Sequence, residues 1–369
     1  MIRSVKTQIH RPDLILAGTV VVLTLFGLLM VYNASPVTSL RDFGDPLHLI
    51  RLQSLWVSAG LVLGFLVFSI PYPFWKKVAP ILFLAALILL IAVFIPGFGA
   101  KIYGAQRWLR FGFLSIQPAE FAKLAYIVYL SAFFSKKVKL NTFLGVTAIV
   151  AGIMLAQKDM GTTIVLITIG LSLYFAAGGV FWHLALLIPV LLALGSILIL
   201  TSPYRKARFL AFLDPGIDTG GISYHINQTL IALGSGGLLG VGLGESRQKY
   251  GFIPEVTTDS IFAVIGNELG FIGALVFIGA FLIVIFRGFK IATSAPDRFA
   301  QLLALGITVW IGFQTLINIA GLAAVLPLTG VPLPFISYGG SSLVATLLAV
   351  AILLNISRYT KVRVENKPR

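Results

Sequence analysis

The sequence contains no cysteine, which excludes disulfide bonds and thiolate-bound metal sites. Charge is also scarce: Asp, Glu, Lys and Arg make up only 11% of the 369 residues, against about a quarter in soluble domains. So little charge cannot cover a surface exposed to water. The sequence has no phosphate-binding loop, dinucleotide fingerprint or nucleophile elbow, and none of its four His residues is spaced with carboxylates as a metal site. A cytoplasmic ATP site is therefore disfavoured.

Hydrophobic residues make up 58% of the chain and fall in runs near the ~20 residues that span a bilayer. The sequence predicts an all-α polytopic membrane protein, with a single transmembrane domain over residues 1–369. The first run is too long for the core of a signal peptide, so we expect it to remain as the first membrane helix. The ten predicted apolar segments cover about 14–32, 52–70, 78–95, 119–134, 144–156, 162–177, 182–201, 261–286, 300–322 and 341–356.

The positions of Lys and Arg predict how these segments are oriented. An even number of segments places both termini on one side. More than half of the 28 basic residues fall in the termini and in the loops after the second, fourth and eighth segments. Because cytoplasmic loops are enriched in Lys and Arg, we expect both termini in the cytoplasm. Basic loops of this kind also account for the net charge of +15, so nucleic acid is not an expected partner.

Two stretches on the predicted outer face should not form simple membrane helices. One is a long loop over residues 202–258, between the seventh and eighth apolar segments. Within it, residues 226–243 begin as a short amphipathic helix and continue as a glycine-rich piece, which we expect to be re-entrant or interfacial. The other stretch, residues 327–342, contains three prolines and three glycines, which exclude a continuous helix.

Basic residues on the outer face oppose the usual bias and therefore indicate an anionic ligand there. Arg107 and Arg110 precede the fourth segment, and Arg208 and Lys249 lie in the long loop. The guanidinium groups beside Trp108 are suited to bidentate phosphate binding. The alternatives are ordinary solvated loop charge and, for Trp108, an interfacial aromatic whose neighbouring arginines contact lipid head groups.

Three more charged residues fall at the outer ends of apolar segments. Glu120 and Lys123 are three residues apart on one helical face, so they form either an internal ion pair that fixes packing or a contact to substrate. Asp159 precedes the sixth segment, where it either caps the helix or takes part in chemistry.

The carboxylates of Glu255 and Asp259 lie where the long loop enters the eighth segment at Ile261. A carboxylate at such a boundary can have a shifted proton affinity. If the helix begins early, the two share a face, with one as general base and the other orienting a group or binding a cation. The alternative is that Asp259 only caps the helix, which typically contributes about 1 kcal/mol.

These motifs together resemble the SEDS family (shape, elongation, division and sporulation), the FtsW, RodA and SpoVE glycosyltransferases, over nearly the whole chain. Ser115–Pro118 and Ser246–Lys249 favour the FtsW/SpoVE branch over the RodA branch. Departures from the family pattern are Thr257 in place of His, Ser260 in place of Phe, and Asn267 in place of Glu. The resemblance is carried by Gln106-Arg107-Trp108-Leu109, Ser115 to Lys123, Lys158-Asp159-Met160-Gly161-Thr162, Phe212-Leu213-Asp214-Pro215, Gln228 to Gly244, Pro254-Glu255 to Asp259, and Pro332 to Ser342.

The resemblance implies an enzyme that polymerises lipid II at the outer face of the cytoplasmic membrane and releases undecaprenyl pyrophosphate. It implies Asp259 as the general base on the acceptor sugar 4-hydroxyl, with inversion at the anomeric carbon. Basic residues would then stabilise the pyrophosphate leaving group. The substrate-binding residues predicted on this basis are Arg107, Trp108, Arg110, Glu120, Lys123, Asp159, Arg208, Lys249, Glu255 and Ser337.

The resemblance also implies partners and a location. These are a class B penicillin-binding protein with transpeptidase activity, other division or elongation proteins, and the inner membrane of a bacterium, at the division septum. A divalent cation, Mg²⁺ or Mn²⁺, would suit a pyrophosphate leaving group, although no ligand set in the sequence demands one.

Two other functions compete with this interpretation. A lipid II flippase should place its polar residues near the bilayer midplane, with access from both sides. Apart from Lys123, the notable charges here fall at the outer boundary, which favours chemistry on one side. A non-enzymatic scaffold for division proteins would require neither Asp259 nor the outer basic residues.

Overall fold

Thirteen helices and three short strands follow one another in the computed structural model, which describes residues 10–102, 105–112, 114–214, 216 and 222–360. Each of the ten predicted apolar segments coincides with one helix, which confirms the helical fold. The helices are α1 (Leu14–Ala34), α2 (Pro36–Phe43), α3 (His48–Ser69), α4 (Pro73–Ala92), α5 (Pro118–Phe134), α6 (Leu140–Ala156), α7 (Met160–Ala176), α8 (Phe181–Leu200), α9 (Pro203–Leu213), α10 (Ile222–Ser235), α11 (Ile261–Thr293), α12 (Arg298–Leu322) and α13 (Gly340–Ser357).

Seven of the described helices are long and apolar enough to cross a membrane: α1, α3, α4, α8, α11, α12 and α13. Helices α6 and α7 are apolar but shorter, at 17 residues each. This helix content is that of a multi-pass membrane protein. The number of ten crossings stays a prediction.

Several helices begin where the sequence supplies a cap or a proline. The carboxylates of Asp13, Asp159 and Asp297 each accept a backbone N–H in the first turn of α1, α7 and α12. Proline occupies the first turn of α2, α4, α5 and α9, where its missing N–H has no helical partner to lose. The prediction that Asp159 caps a helix is therefore confirmed.

A small antiparallel sheet precedes α5 and was not predicted from the sequence. Its central strand β2 pairs with β1 on one side and β3 on the other. In β2 the side chain of Leu109 is buried and that of Arg110 is exposed, as the two-residue period of a strand requires. The strands are β1 (Gly99–Ile102), β2 (Ala105–Phe111) and β3 (Leu114–Ile116).

The centre of the bundle is formed by α12 and α13. Trp310 of α12 and Ile356 of α13 have no exposed area. Helix α13 packs mainly against α3, α12 packs against α11 and α7, and α4 packs against α5. Helix α8 instead directs apolar side chains such as Trp182 and Leu186 outward, which is the arrangement expected of a lipid-facing helix.

Helix α11 is broken at Gly270, where the backbone has φ 68° and ψ −169°. Residues 236–242, the glycine-rich segment, fill the break. The N–H groups of Val241 and Gly242 donate to the carbonyls of α11 before the break, and α11 N–H groups after it donate back to the glycine-rich segment. A Cβ at Gly270 would overlap the backbone of this segment. The predicted short helix is thus observed as α10, and the glycine-rich segment follows it with its backbone hydrogen-bonded to α11. Leu238 and Leu239 of this segment are exposed, and its re-entrant or interfacial placement stays a prediction.

The two described chain ends lie together at one end of the bundle. The N–H of His10 donates to the carbonyl of Arg358 (3.0 Å), and Asp13 forms an ion pair with Arg287 (2.5 Å). The described ends, residues 10 and 360, therefore lie on the same side of the bundle, which agrees with an even number of segments. Their cytoplasmic orientation stays a prediction. Some of the basic residues on which that prediction rests lie outside the described residues, namely Arg3, Lys6, Lys361, Arg363, Lys367 and Arg369. Residues 215 and 217–221 of the predicted long loop also lie outside them.

Candidate functional site

The turn formed by residues 254–260, named the catalytic turn after its predicted role, carries both carboxylates of the predicted site. Helix α11 begins at Ile261 with Ser260 at its N-cap, so the alternative that Asp259 caps this helix is wrong. The two carboxylates therefore do not share a helical face either. Instead the hydroxyl of Thr258 lies between them, 3.1 Å from Glu255 Oε2 and 3.1 Å from Asp259 Oδ1. One hydroxyl thus links the two acidic side chains.

Asp259 is held from behind by Asn318 of α12. The buried Asn318 side-chain amide donates to the backbone carbonyl of Asp259 and to that of Val331, both at 2.8 Å. Because one amide binds both carbonyls, it fixes the catalytic turn relative to the chain that follows α12. Asn318 was not among the predicted site residues.

Arg208 and Gly330 lie in front of the Asp259 carboxylate. A Cβ added at Gly330 would lie 3.4 Å from Asp259 Oδ2 and 3.9 Å from Arg208 Nη1, both ordinary contact distances, so both groups lie next to Gly330. Gly330 has φ +69°, which an L side chain rarely adopts. Arg208 comes from α9 and donates to the Leu328 carbonyl (3.4 Å). A guanidinium and a carboxylate thus line one small space.

The environment shifts the proton affinity of both carboxylates upward. Burial raises the pKa of Asp259 above its ordinary value, and the Arg208 guanidinium opposes that rise. Burial also raises the pKa of Glu255, and the neighbouring Asp259 charge raises it further. A carboxylate of raised pKa is a stronger base than an ordinary one when it is ionised.

Residues 327–339, the proline segment, bring Gly330 to this place. The Gln314 amide of α12 donates to the Pro332 carbonyl (2.8 Å), and the Tyr338 N–H donates to the Thr257 carbonyl (2.8 Å). The predicted substrate-binding residue Ser337 is buried, and its hydroxyl accepts the Leu333 N–H (2.8 Å). In this structure Ser337 closes a turn of the proline segment, and its contact with substrate stays a prediction.

Glu120 and Lys123 form an ion pair of 2.9 Å with no exposed area on either side chain. The ammonium of Lys123 also donates to Gln314 Oε1 (2.7 Å) and lies 4.8 Å from the ring centre of Trp310. The interpretation as an internal ion pair is confirmed. Through Gln314 the pair supports the proline segment, so it reaches the catalytic turn indirectly. Its direct contact with substrate stays a prediction.

Arg107 and Asp159 meet at the start of α7. Their charged groups are 3.9 Å apart, Arg107 also donates to the Lys158 carbonyl, and Gln117 donates to Asp159 (3.3 Å). Asp159 is therefore both a cap and an ion-pair partner.

The other two predicted residues of this region extend along the same strand. On β2, Trp108 is half-buried and Arg110 is exposed. The phosphate-binding role of this group stays a prediction.

Lys249 lies at a different place from Asp259 and Arg208, beside the break in helix α11. Its ammonium donates to Asn33 (2.5 Å) and Gly244 (2.5 Å) and lies 3.4 Å from the buried Glu268 carboxylate. A cavity of about 200 Å³ next to it is lined by the end of α1, the start of α2, Lys249 and Tyr250. Lys249 is thus paired inside the protein, and its substrate contact stays a prediction.

The described residues contain no group of three His, Cys, Asp or Glu side chains that could hold a metal ion. Glu255 and Asp259, with the Thr258 hydroxyl between them, form a smaller set of oxygen donors. Mg²⁺ is commonly held by one or two carboxylates together with substrate phosphates, so this pair fits a cation that arrives with its substrate.

The polar groups described above gather at one end of the bundle, where α5, α7, α11 and α13 begin and α1 and α12 end. The family model of the cell cycle proteins FtsW, RodA and SpoVE matches residues 13–362. The chain belongs to the FtsW/RodA/SpoVE family. This membership confirms the resemblance that the motifs indicated.

Relatives of this FtsW/RodA/SpoVE chain match it over almost its full length. It is 41% identical to the probable peptidoglycan glycosyltransferase FtsW of Trichlorobacter lovleyi, over 95% of this chain and 94% of that protein. It is 39% identical to the stage V sporulation protein E of Bacillus subtilis, over 96% of this chain and 99% of that protein.

Solved structures agree with this assignment. A chain in a structure of a peptidoglycan synthase complex that coordinates polymerization and crosslinking superposes with a TM-score of 0.78 and 27% identity, covering 95% of this chain and 99% of that one. The rod shape determining protein RodA of Thermus thermophilus superposes with a TM-score of 0.70 and 26% identity, covering 94% of this chain and 97% of that one.

Within this family fold, sequence reasoning missed the neutral residues that hold the site. Gln314 and Asn318 are amide residues four apart in a largely apolar segment, and that spacing was the signal available. His225 of α10 also reaches the catalytic turn, where its ring nitrogen lies 2.6 Å from Ser260 Oγ. His225 gave no signal in the sequence, because it is not spaced with carboxylates as a metal ligand would be.

Proposed function

We propose that this chain is a peptidoglycan glycosyltransferase that polymerises lipid II at the outer face of the bacterial inner membrane. The observation that carries the proposal is the partly buried Asp259 carboxylate, which shares a small space with the Arg208 guanidinium. The names of its relatives support the same activity.

In the proposed reaction, Asp259 accepts the proton of the acceptor 4-hydroxyl. That oxygen forms a bond to the anomeric carbon of the donor, and the bond from this carbon to the pyrophosphate breaks with inversion. Raised proton affinity in Asp259 favours its taking the proton as the new bond forms. Undecaprenyl pyrophosphate leaves with its charge stabilised by Arg208 and by the outer residues Arg107 and Arg110.

Glu255 acts beside Asp259 as a supporting carboxylate. It lies at the edge of the catalytic turn, partly open to water, and shares the Thr258 hydroxyl with Asp259. A Mg²⁺ or Mn²⁺ ion that enters with the pyrophosphate would be held by Glu255 and the phosphate oxygens. Removing divalent cations with EDTA should then lower polymer yield, and adding back Mg²⁺ or Mn²⁺ should restore it.

The proposed cellular setting follows the family. The chain acts at the division septum, with both termini in the cytoplasm, together with a class B penicillin-binding protein that cross-links the new glycan and with other division or elongation proteins. The likeness to a chain of a peptidoglycan synthase complex supports a partner of this kind.

The decisive experiment is polymerisation of labelled lipid II by the purified chain with its partner. Asp259→Asn keeps the shape of the side chain but removes its basicity, so polymer should disappear. The matched control is Asp45→Asn, which neutralises another carboxylate on the predicted outer side that pairs with Arg51. Full polymer yield from folded Asp259→Asn protein would refute the assignment of the base.

The same preparation tests the competing flippase function. Proteoliposomes containing the chain would be loaded with lipid II, and both its transport and its polymerisation would be followed. Transport without any polymer would support the flippase. The buried side chains of Lys123, Asn318 and Lys249 lie toward one end of the bundle, rather than at its middle, which favours polymerisation.

A further inference from the structure

His225 brings an imidazole to the catalytic turn from a separate element. The catalytic turn itself contains no His, and position 257 is Thr. His225 lies on α10, and its Nε2 is 2.6 Å from the hydroxyl oxygen of Ser260, a fully buried residue. Ser260 is the last residue of the turn that carries Asp259.

Ser260 closes the catalytic turn at both ends. Its hydroxyl donates to the Pro254 carbonyl (2.9 Å), and its backbone N–H donates to the Glu255 carbonyl (3.2 Å). A serine hydroxyl has one proton. If that proton goes to Pro254, the short contact with His225 is a hydrogen bond only when Nε2 carries a hydrogen and donates it to Ser260 Oγ.

The charge state of His225 is compatible with this role. Burial and the nearby Arg208 guanidinium lower the pKa of His225 to about 4, with Glu255 opposing the shift. The ring is therefore neutral near pH 7. A neutral imidazole has one N–H, and the arrangement around Ser260 places it on Nε2.

We propose that His225 is a positioning residue for the glycosyl transfer, which donates from Nε2 to Ser260 Oγ and so locks the turn that carries Asp259. This inference rests on the function proposed above. It makes α10 part of the machinery that holds the base. It also assigns the Ser260 hydroxyl a use, since this group accepts from His225 and donates to Pro254 at the same time.

The test compares His225→Leu, which removes the donor, with His225→Gln, whose amide can still donate. We expect His225→Leu to lower kcat for lipid II polymerisation about tenfold with little change in KM, because a loosened base loses its alignment. His225→Gln should keep most of the wild-type kcat. His48→Leu makes the same substitution on another predicted outer-face His, and should leave kcat unchanged.

A double-mutant cycle tests whether His225 acts through Ser260. Ser260→Ala should lower kcat by a similar factor, and the His225→Leu/Ser260→Ala double variant should be no worse than the poorer single variant. Independent, additive losses would overturn the proposal, as would a His225→Leu enzyme with full kcat or a His225→Gln enzyme as impaired as His225→Leu.

Hydrogen exchange separates this inference from the proposed function. The turn amides, including the N–H of Ser260, should exchange faster in His225→Leu than in wild type, and at the wild-type rate in His225→Gln. Unchanged exchange in a folded His225→Leu protein would overturn the inference even if the chain polymerises lipid II. If the turn amides lose protection in His225→Leu but the wild-type chain makes no polymer, the His225–Ser260 hydrogen bond would be established and the proposed function refuted.

Discussion

Replacing Asn318 with Leu should damage the reaction more than it damages the fold. The substitution keeps most of the side-chain volume and removes the two hydrogen bonds to the carbonyls of Asp259 and Val331. The matched control is Asn355→Leu. Asn355 is also buried and also makes two hydrogen bonds to backbone, with the Phe68 carbonyl and the Tyr72 N–H, at the opposite end of the bundle.

The expected magnitudes follow from the number of bonds lost. Each variant loses two hydrogen bonds, at about 1 kcal/mol each, so both should lose about 2 kcal/mol of stability. Of the two residues, Asn318 is the one that holds Asp259, the proposed base. A displacement of a reacting group by about 1 Å can cost about a hundredfold in rate, so Asn318→Leu should lower kcat by about 10- to 100-fold. Asn355→Leu should stay within about twofold of wild type, because its partners lie far from Asp259.

Two measurements check this prediction. Apparent unfolding temperatures in detergent should fall by similar amounts in both variants. Initial rates of lipid II polymerisation, at temperatures where both remain folded, should fall only for Asn318→Leu. Equal rates for the two folded variants would refute the view that Asn318 positions the base.

Three other predictions concern charge and backbone. Gly270→Ala should lower the unfolding temperature, because φ is +68° and a Cβ would overlap the glycine-rich segment. Gly279 has open space around it, so Gly279→Ala should raise the unfolding temperature slightly, because Ala stabilises a helix by about 0.5–1 kcal/mol relative to Gly. A pH profile of kcat should lose activity as pH falls through the Asp259 pKa. Arg208→Gln removes the cation that holds this pKa down, so the loss should then begin at higher pH. Lys123→Met should lower stability by about 3–5 kcal/mol in thermal unfolding, because its buried carboxylate partner is left unpaired.

Much of the fold could be predicted because membrane helices have a strong local signal. Ten long apolar runs became ten helices, and Asp159 caps α7 as its position indicated. The sheet was missed because its strands are three to seven residues long and carry polar residues such as Gln106 and Arg107. Strand pairing is a non-local property, and the alternation of Leu109 with Arg110 spans too few residues to distinguish a strand from a loop.

The candidate site could be predicted only for its charged residues. A charge near an apolar segment is unfavourable unless it is used or paired, so Glu120, Lys123 and Asp259 are visible in the sequence alone. Partners are set by the tertiary fold instead. Asn318 binds a carbonyl 59 residues away, and His225 contacts a hydroxyl 35 residues away. Nothing in the local pattern around either residue indicates those contacts.

Neutral side chains hold the catalytic turn in place, and there is a physical reason why they are neutral and not charged. Asn318 donates as an amide, and His225, with its lowered pKa, as an uncharged imidazole. A neutral donor fixes position through a short-range hydrogen bond and adds little long-range field. A charged residue in either place would have shifted the proton affinity of Asp259 by its own Coulomb interaction. With neutral supports, the ionisation of Asp259 depends on its burial, on the Arg208 guanidinium and on the charge of the bound pyrophosphate. Both the guanidinium and the pyrophosphate take part in the proposed reaction.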